Sequence, residues 1–134
     1  MLFKIFMSGL MVCFSFTATA LTGSGTSAVT PLETVSPALQ SVSSITDKSL
    51  SASFSETMLA PGGTSPNNYV VSGLGAGTLV PSPTGVSGGP SVFTLDWAAG
   101  EMRDGVSLTL TVSGVQDAFG NPIDPAANSA SCAG

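Results

Sequence analysis

The run "VSLTLTVSGV", Val106–Val115, decides the fold. Val106, Leu108, Leu110 and Val112 take every second position, and Ser107, Thr109, Thr111 and Ser113 fill the gaps. An extended chain turns alternate side chains to opposite faces, so this pattern makes a half-buried antiparallel strand. A helix would scatter the same apolar residues around its circumference. Threonine keeps the outer row soluble while favouring the strand. "SLSASF", Ser49–Phe54, repeats the pattern, with Leu50, Ala52 and Phe54 inward and Ser49, Ser51 and Ser53 outward.

Weaker strands lie around these two. "ALQSVSSI", Ala38–Ile45, is irregular enough to predict an edge strand or a bulge. "NYVVSG", Asn68–Gly73, points Tyr69 and Val71 one way; "SVFTLDW", Ser91–Trp97, does the same with Phe93, Leu95 and Trp97. A short strand is expected near Thr78–Val80, and the stretch after Ile123 has room for a last one. "APGGTSPN", "PSPTGVSGGP" and "AAGEMRDG" carry the Gly, Pro and Asp-Gly chemistry of turns. No stretch has a helical stripe. The expectation is an all-β sandwich of six or seven short antiparallel strands with Greek-key connections.

The first twenty residues, "MLFKIFMSGLMVCFSFTATA", read as an export signal. Lys4 gives a basic start, Ile5–Phe16 an apolar run too short to span a bilayer, and Ala18-Thr19-Ala20 a cleavage pattern. A buried N-terminal helix is one alternative, but nothing later in the chain looks built to cover so apolar a segment; a lipoprotein cut before Cys13 is another, but Val12 stands where a small residue is wanted. Residues 21–37, rich in Ser, Thr, Gly and Pro, are expected to be a flexible lead-in. The domain is expected over residues 38–125, and residues 126–134 are expected to be a disordered tail.

With Lys4 removed, Lys48 and Arg103 face eight acids, a formal charge of −6. Two cations make no phosphate-binding patch, so nucleic acid and anionic lipid are unsuited as partners. Cys13 and Cys132 are the only cysteines. If the signal is cut away, Cys132 has no internal partner and the core alone holds the domain. No second apolar run suggests a membrane span after signal removal.

Three segments together carry a family resemblance: "LSASFSETM" (Leu50–Met58), "NYVVSG" (Asn68–Gly73) and "LTLTVSGVQDAFGNPI" (Leu108–Ile123). In this order they resemble the signatures of bacterial Ig-like domains of the S-layer (SbsA-like) type. The resemblance covers roughly residues 38–125. It implies an immunoglobulin-like sandwich on an exported protein, with a structural, spacer or adhesive role at the cell surface or in the periplasm. It implies envelope or surface proteins as partners, and no catalytic residues. The end departs from the pattern: "DPAANSASCAG" lacks the aromatic or β-branched run that closes many relatives.

The chemistry agrees. The chain has no histidine, which removes Ser-His-Asp and Cys-His arrangements and the usual zinc sites. The glycine pairs Gly62-Gly63 and Gly88-Gly89 lack the Lys-Ser/Thr of a phosphate loop. Catalytic, cofactor and metal residues are therefore assigned as none. The rival to a purely structural module is weak binding of calcium or a glycan. Glu56, Asp117, Asn121 and Asp124 offer hard oxygens for calcium. Each also has a structural job: Asp117 accepts N–H groups across its turn, Gly120 permits positive φ, and Pro122 ends the turn. Phe119 is expected as a core plug, and Glu56 as a solvated strand end or a partner of Lys48 or Arg103. Tyr69 and Trp97 could stack on sugars, but both are expected in the core.

Overall fold

A computed structural model describes residues 32–134. The expected export signal and the first part of the lead-in lie outside the described residues. Seven strands follow: β1 (Leu39–Thr46), β2 (Ser49–Phe54), β3 (Tyr69–Ser72), β4 (Gly85–Gly88), β5 (Val92–Asp96), β6 (Ser107–Val112) and β7 (Ser129–Ala133). They form a four-stranded sheet in the order β1-β2-β5-β4 and a three-stranded sheet in the order β3-β6-β7. Every pairing is antiparallel. This is the strand order of a seven-stranded immunoglobulin-like sandwich. The only α-helical segment among the described residues is one turn, Ala60–Gly63.

The alternation read from the sequence builds the core. Leu50, Ala52, Phe54, Phe93 and Leu95 point inward from one sheet; Tyr69, Val71, Leu108, Leu110 and Val112 meet them from the other. Burying a side chain such as Leu108 or Phe93 contributes about 1.5–3 kcal/mol. Phe54 and Phe93 meet edge to face at 5.8 Å. Tyr69 and Trp97 are both core residues, and each sends its polar atom to a backbone carbonyl. Tyr69 Oη donates to Gly63 O at 2.6 Å, and Trp97 Nε1 to Val80 O at 2.8 Å. β1 is an edge strand with two register shifts against β2, matching its irregular pattern.

The structure corrects four expectations. The last residues are not a tail: β7 pairs with β6 from Ser107↔Ala133 to Thr111↔Ser129. The sandwich thus runs past residue 125, and the ladder of β6 supplies what the weak sequence of β7 lacks. β4 arises inside "PSPTGVSGGP", which reads as a turn, because β5 offers it a free edge. Thr78–Val80 is not a strand; Leu79 N–H closes a turn onto Ala76 O. The lead-in docks before residue 38: Pro37 is fully buried and its carbonyl accepts Asp124 N–H at 2.9 Å.

The strands give the domain two ends. At the amino end lie Glu33–Pro37, the segment after β2, and the long loop from β6 to β7. At the carboxyl end lie the β1–β2 turn, the β5–β6 connection and Gly134, tied by Met102 N–H to Asp47 O and Gly105 N–H to Gly134 O.

Candidate functional site

The amino end gathers the candidate residues. After β6 the chain bends at Gly114, whose φ of +68° favours glycine, and whose carbonyl accepts from Asn68 Nδ2. Val115 then fills the core, and the chain doubles back: Asp117 N–H donates to Asn121 O, and Ile123 N–H to Val115 O.

Asp117 is wholly buried and organises this loop. Its Oδ1 accepts the N–H groups of Phe119 and Asn121, each at 2.8 Å, and its Oδ2 accepts Asn121 Nδ2 at 2.8 Å. Desolvation alone would raise its pKa. The bonds from the Asn121 side chain and from the backbone of Asn121, Phe119 and Gly120 outweigh that and hold it below the ordinary carboxylate range. The expected role of Asp117 as acceptor across the turn therefore stands, as does positive φ at Gly120, +93°. Phe119 is not a core plug. It is 65% exposed, because the buried carboxylate of Asp117 occupies the inside of the turn.

Two further carboxylates approach Asp117. The segment after β2 is held to the loop by Ala118 N–H to Thr57 O and by the Met58↔Asp117 bridge, which brings Glu56 alongside. Glu33 arrives from the docked lead-in, where Asn121 Nδ2 donates to its carbonyl at 3.1 Å and approaches its Oε2 at 3.4 Å. Glu33, Glu56 and Asp117 each place a carboxylate oxygen within 4.8 Å of the others. Loss of hydration, then the charges of Glu33 and Asp117, push the Glu56 carboxyl above its ordinary value.

Of the four residues proposed for calcium, the fold brings together Glu56, Asp117 and Asn121. Asp124 turns away, its Oδ1 accepting Ala126 N–H at 2.9 Å. Glu33 completes the set and was missed, because it lies in a segment whose composition signals only a linker. Lys48 and Arg103 are at the carboxyl end, held near Trp97 and Gly75, so neither pairs with Glu56 as expected. The arrangement therefore offers three carboxylates, partly dehydrated, with no cationic side chain beside them among the described residues. A hard divalent cation would match such a set chemically, with water completing its shell.

Neither ring proposed for stacking on a glycan is free to do so: Tyr69 is fully buried and Trp97 is 3% exposed. The carboxyl end carries two open clefts of about 480 and 430 Å³ that share Glu101 and Met102.

No protein-family model matches the sequence, and no curated protein matches it. Solved structures do. The N-terminal part of the bacterial S-layer protein SbsC superposes with a TM-score of 0.61 at 21% identity, over 72% of this chain and 23% of that one. The S-layer protein rSbsC(31-844) matches with a TM-score of 0.59 at 22% identity, over 72% of this chain and 13% of that one. SbsC domains 1-6 match with a TM-score of 0.60 at 22% identity, over 74% of this chain and 14% of that one. The chain thus spans less than a quarter of each, and at this identity the shared property is the fold.

Proposed function

We propose that this chain is a non-catalytic structural module of an exported protein, working as a rigid spacer at the cell surface. The observation that carries this reading is the build of the domain: seven strands close on one continuous core, with Glu33 at one end of the sandwich and Gly134 at the other. A domain built that way resists a pull along its strands. Among the described residues its interior supplies rigidity without a disulfide, and Cys132 is a free thiol. The likeness to S-layer domains supports the same role, and the N-terminal sequence supports export. The test is fractionation of the full chain carrying a C-terminal tag, with sequencing of the mature N-terminus. Surface or envelope location with Leu21 first is expected. An intact chain in the cytoplasm overturns the proposal.

A second reading concerns the amino end. Glu33, Glu56 and Asp117 converge from three separate segments, which favours calcium at this end. Because Glu33 belongs to the connecting segment, a bound ion would stiffen the approach to the module. Calcium should raise the melting temperature of the wild type, and Glu33→Gln or Glu56→Gln should remove that rise. No rise at millimolar calcium ends this reading and leaves the spacer role untouched.

A further inference from the structure

Pro37 divides the entering chain into a part that is tied down and a part that is barely held. Pro37 is fully buried, and its carbonyl accepts Asp124 N–H. Ala38 N–H donates to Ser55 Oγ at 2.9 Å, its carbonyl accepts Ser55 N–H at 2.9 Å, and Leu39 N–H donates to Ala127 O at 2.8 Å. Before Pro37 this hold stops. Thr34, Val35 and Ser36 are exposed, and Glu33 is half-buried. Among the described residues, no hydrogen bond joins the backbone of residues 33–36 to the backbone of the body.

What holds Glu33 is one side chain. Asn121 Nδ2 carries two hydrogens and meets three acceptors: Asp117 Oδ2 at 2.8 Å, Glu33 O at 3.1 Å and Glu33 Oε2 at 3.4 Å. The shortest bond goes to Asp117, so the amide stays in place whether or not Glu33 is there. The second hydrogen is shared between the two Glu33 oxygens. Glu33 Oε1 accepts Val35 N–H, which folds the segment on itself. The carboxyls of Glu56 and Asp117 lie within 4.8 Å of that of Glu33, and among the described residues no cation stands there to bind it.

We propose that Glu33–Ser36 is a strap that docks and releases as a unit, with Asn121 as its latch and Pro37 as its pivot. Docked, the chain enters the domain fixed at Glu33. Released, it is free as far as Ser36, and four residues at roughly 3.3 Å each add slack of about 13 Å. The two states lie close in free energy. Net of the water it displaces, one hydrogen bond shifts an equilibrium by only about two- to tenfold, and ordering the strap opposes it. The strap buries no large apolar side chain, since Val35 is 66% exposed. Pro37 fixes its own φ and keeps Ser36 extended, so the pivot is a defined one. The strap needs neither an ion nor a partner to move, so it is independent of the calcium and spacer roles proposed above.

The distance between spin labels at Val35→Cys and Val92→Cys tests this, in the full chain with Cys13→Ser and Cys132→Ser and with a chelator present. Val92 lies on β5 and is 47% exposed. With Asn121 in place the distance should be mainly narrow, from the docked strap, beside a smaller broad component. Asn121→Ala should make the broad component dominant. Thr34→Gly together with Ser36→Gly, which lie on the strap and leave the Asp117 turn untouched, should raise the ratio of broad to narrow by about fourfold or more, because glycine gains freedom in the released state. A second label pair, Gln40→Cys and Val92→Cys, lies past the pivot and should stay narrow throughout. Near-ultraviolet circular dichroism identifies variants that fold, and the glycine pair decides the matter if Asn121→Ala does not. A mainly broad 35–92 distance with Asn121 in place, a narrow one that the folded variants leave unchanged, or equal broadening of the 40–92 pair would overturn the proposal.

Discussion

Asp117 and Glu56 sit within reach of each other and answer to pH in opposite senses. The Asp117 carboxyl titrates below its ordinary range, so its contribution to stability is present above that range and fades as pH falls through its depressed value. The Glu56 carboxyl titrates above its ordinary range, so the folded state holds that proton more tightly than the unfolded chain. Its contribution is full below the ordinary range and fades as pH rises through the raised value. Urea denaturation followed from pH 3 to 7 should therefore show a maximum in the mildly acidic range. Glu56→Gln should flatten the decline on the alkaline side. Asp117→Asn should lower stability at pH 7, because one of its side-chain positions becomes a donor facing the Asn121 amide. Tyr69→Phe should cost about 1–3 kcal/mol in the same assay, since Gly63 O then loses a buried donor. The turn role of Asp117 was legible because a short polar side chain before Gly-Asn-Pro has few other uses. The exposure of Phe119 was not, since it follows from which side chain wins the inside of the turn. Glu33 was not legible either: its nearest ligating neighbours lie far along the chain, and no local pattern marks it.

Strands that carry their own alternation were legible, and strands that borrow their pairing were not. β2 and β6 place a large apolar residue at every second position, so burial alone dictates their faces and register. β4 is Gly-Val-Ser-Gly and β7 is Ser-Ala-Ser-Cys-Ala. Neither has a side chain large enough to announce a face; each exists because a strong neighbour presents unpaired backbone groups. β7 nevertheless covers β6, and Ala130 and Cys132 pack against the core. Truncation before Ser129 should strip β6 of one partner and uncover Leu108 and Leu110. The loss should reach several kcal/mol, a large share of the 5–15 kcal/mol typical of a domain. A fall in the urea midpoint with new binding of a hydrophobic dye would register it; an unchanged midpoint would mean β7 is dispensable. Gly75, in the connection before β4, and Gly85, the first residue of β4, supply a sharper contrast. A Cβ at Gly75 would lie 2.1 Å from the Val106 carbonyl oxygen, whereas one at Gly85 would meet nothing within 4 Å. Gly75→Ala should destabilise by about 1–3 kcal/mol or more. Gly85→Ala should be neutral or stabilising by about 0.4–1 kcal/mol.

At the scale of the whole molecule the spacer role proposed above is a mechanical one. β1 begins at the amino end and β7 finishes at the carboxyl end, and each pairs along its length with an interior strand. A pull between residues 33 and 134 runs nearly parallel to the strands, so the ladder bonds of β6–β7 are loaded together. A pull between residues 47 and 134, both at the carboxyl end, runs across the strands and opens the same ladder one bond at a time. Each bond contributes only about 1 kcal/mol net, so the number loaded at once decides resistance. Single-molecule unfolding through cysteines introduced at those positions, in a Cys132→Ser background, should require a clearly larger force for the 33–134 pair than for the 47–134 pair. A spacer needs that anisotropy, because tension in a surface protein arrives along the chain. Equal forces in the two geometries would remove the mechanical reason for threading the sandwich from end to end. The sandwich would then serve only as a carrier for its loops.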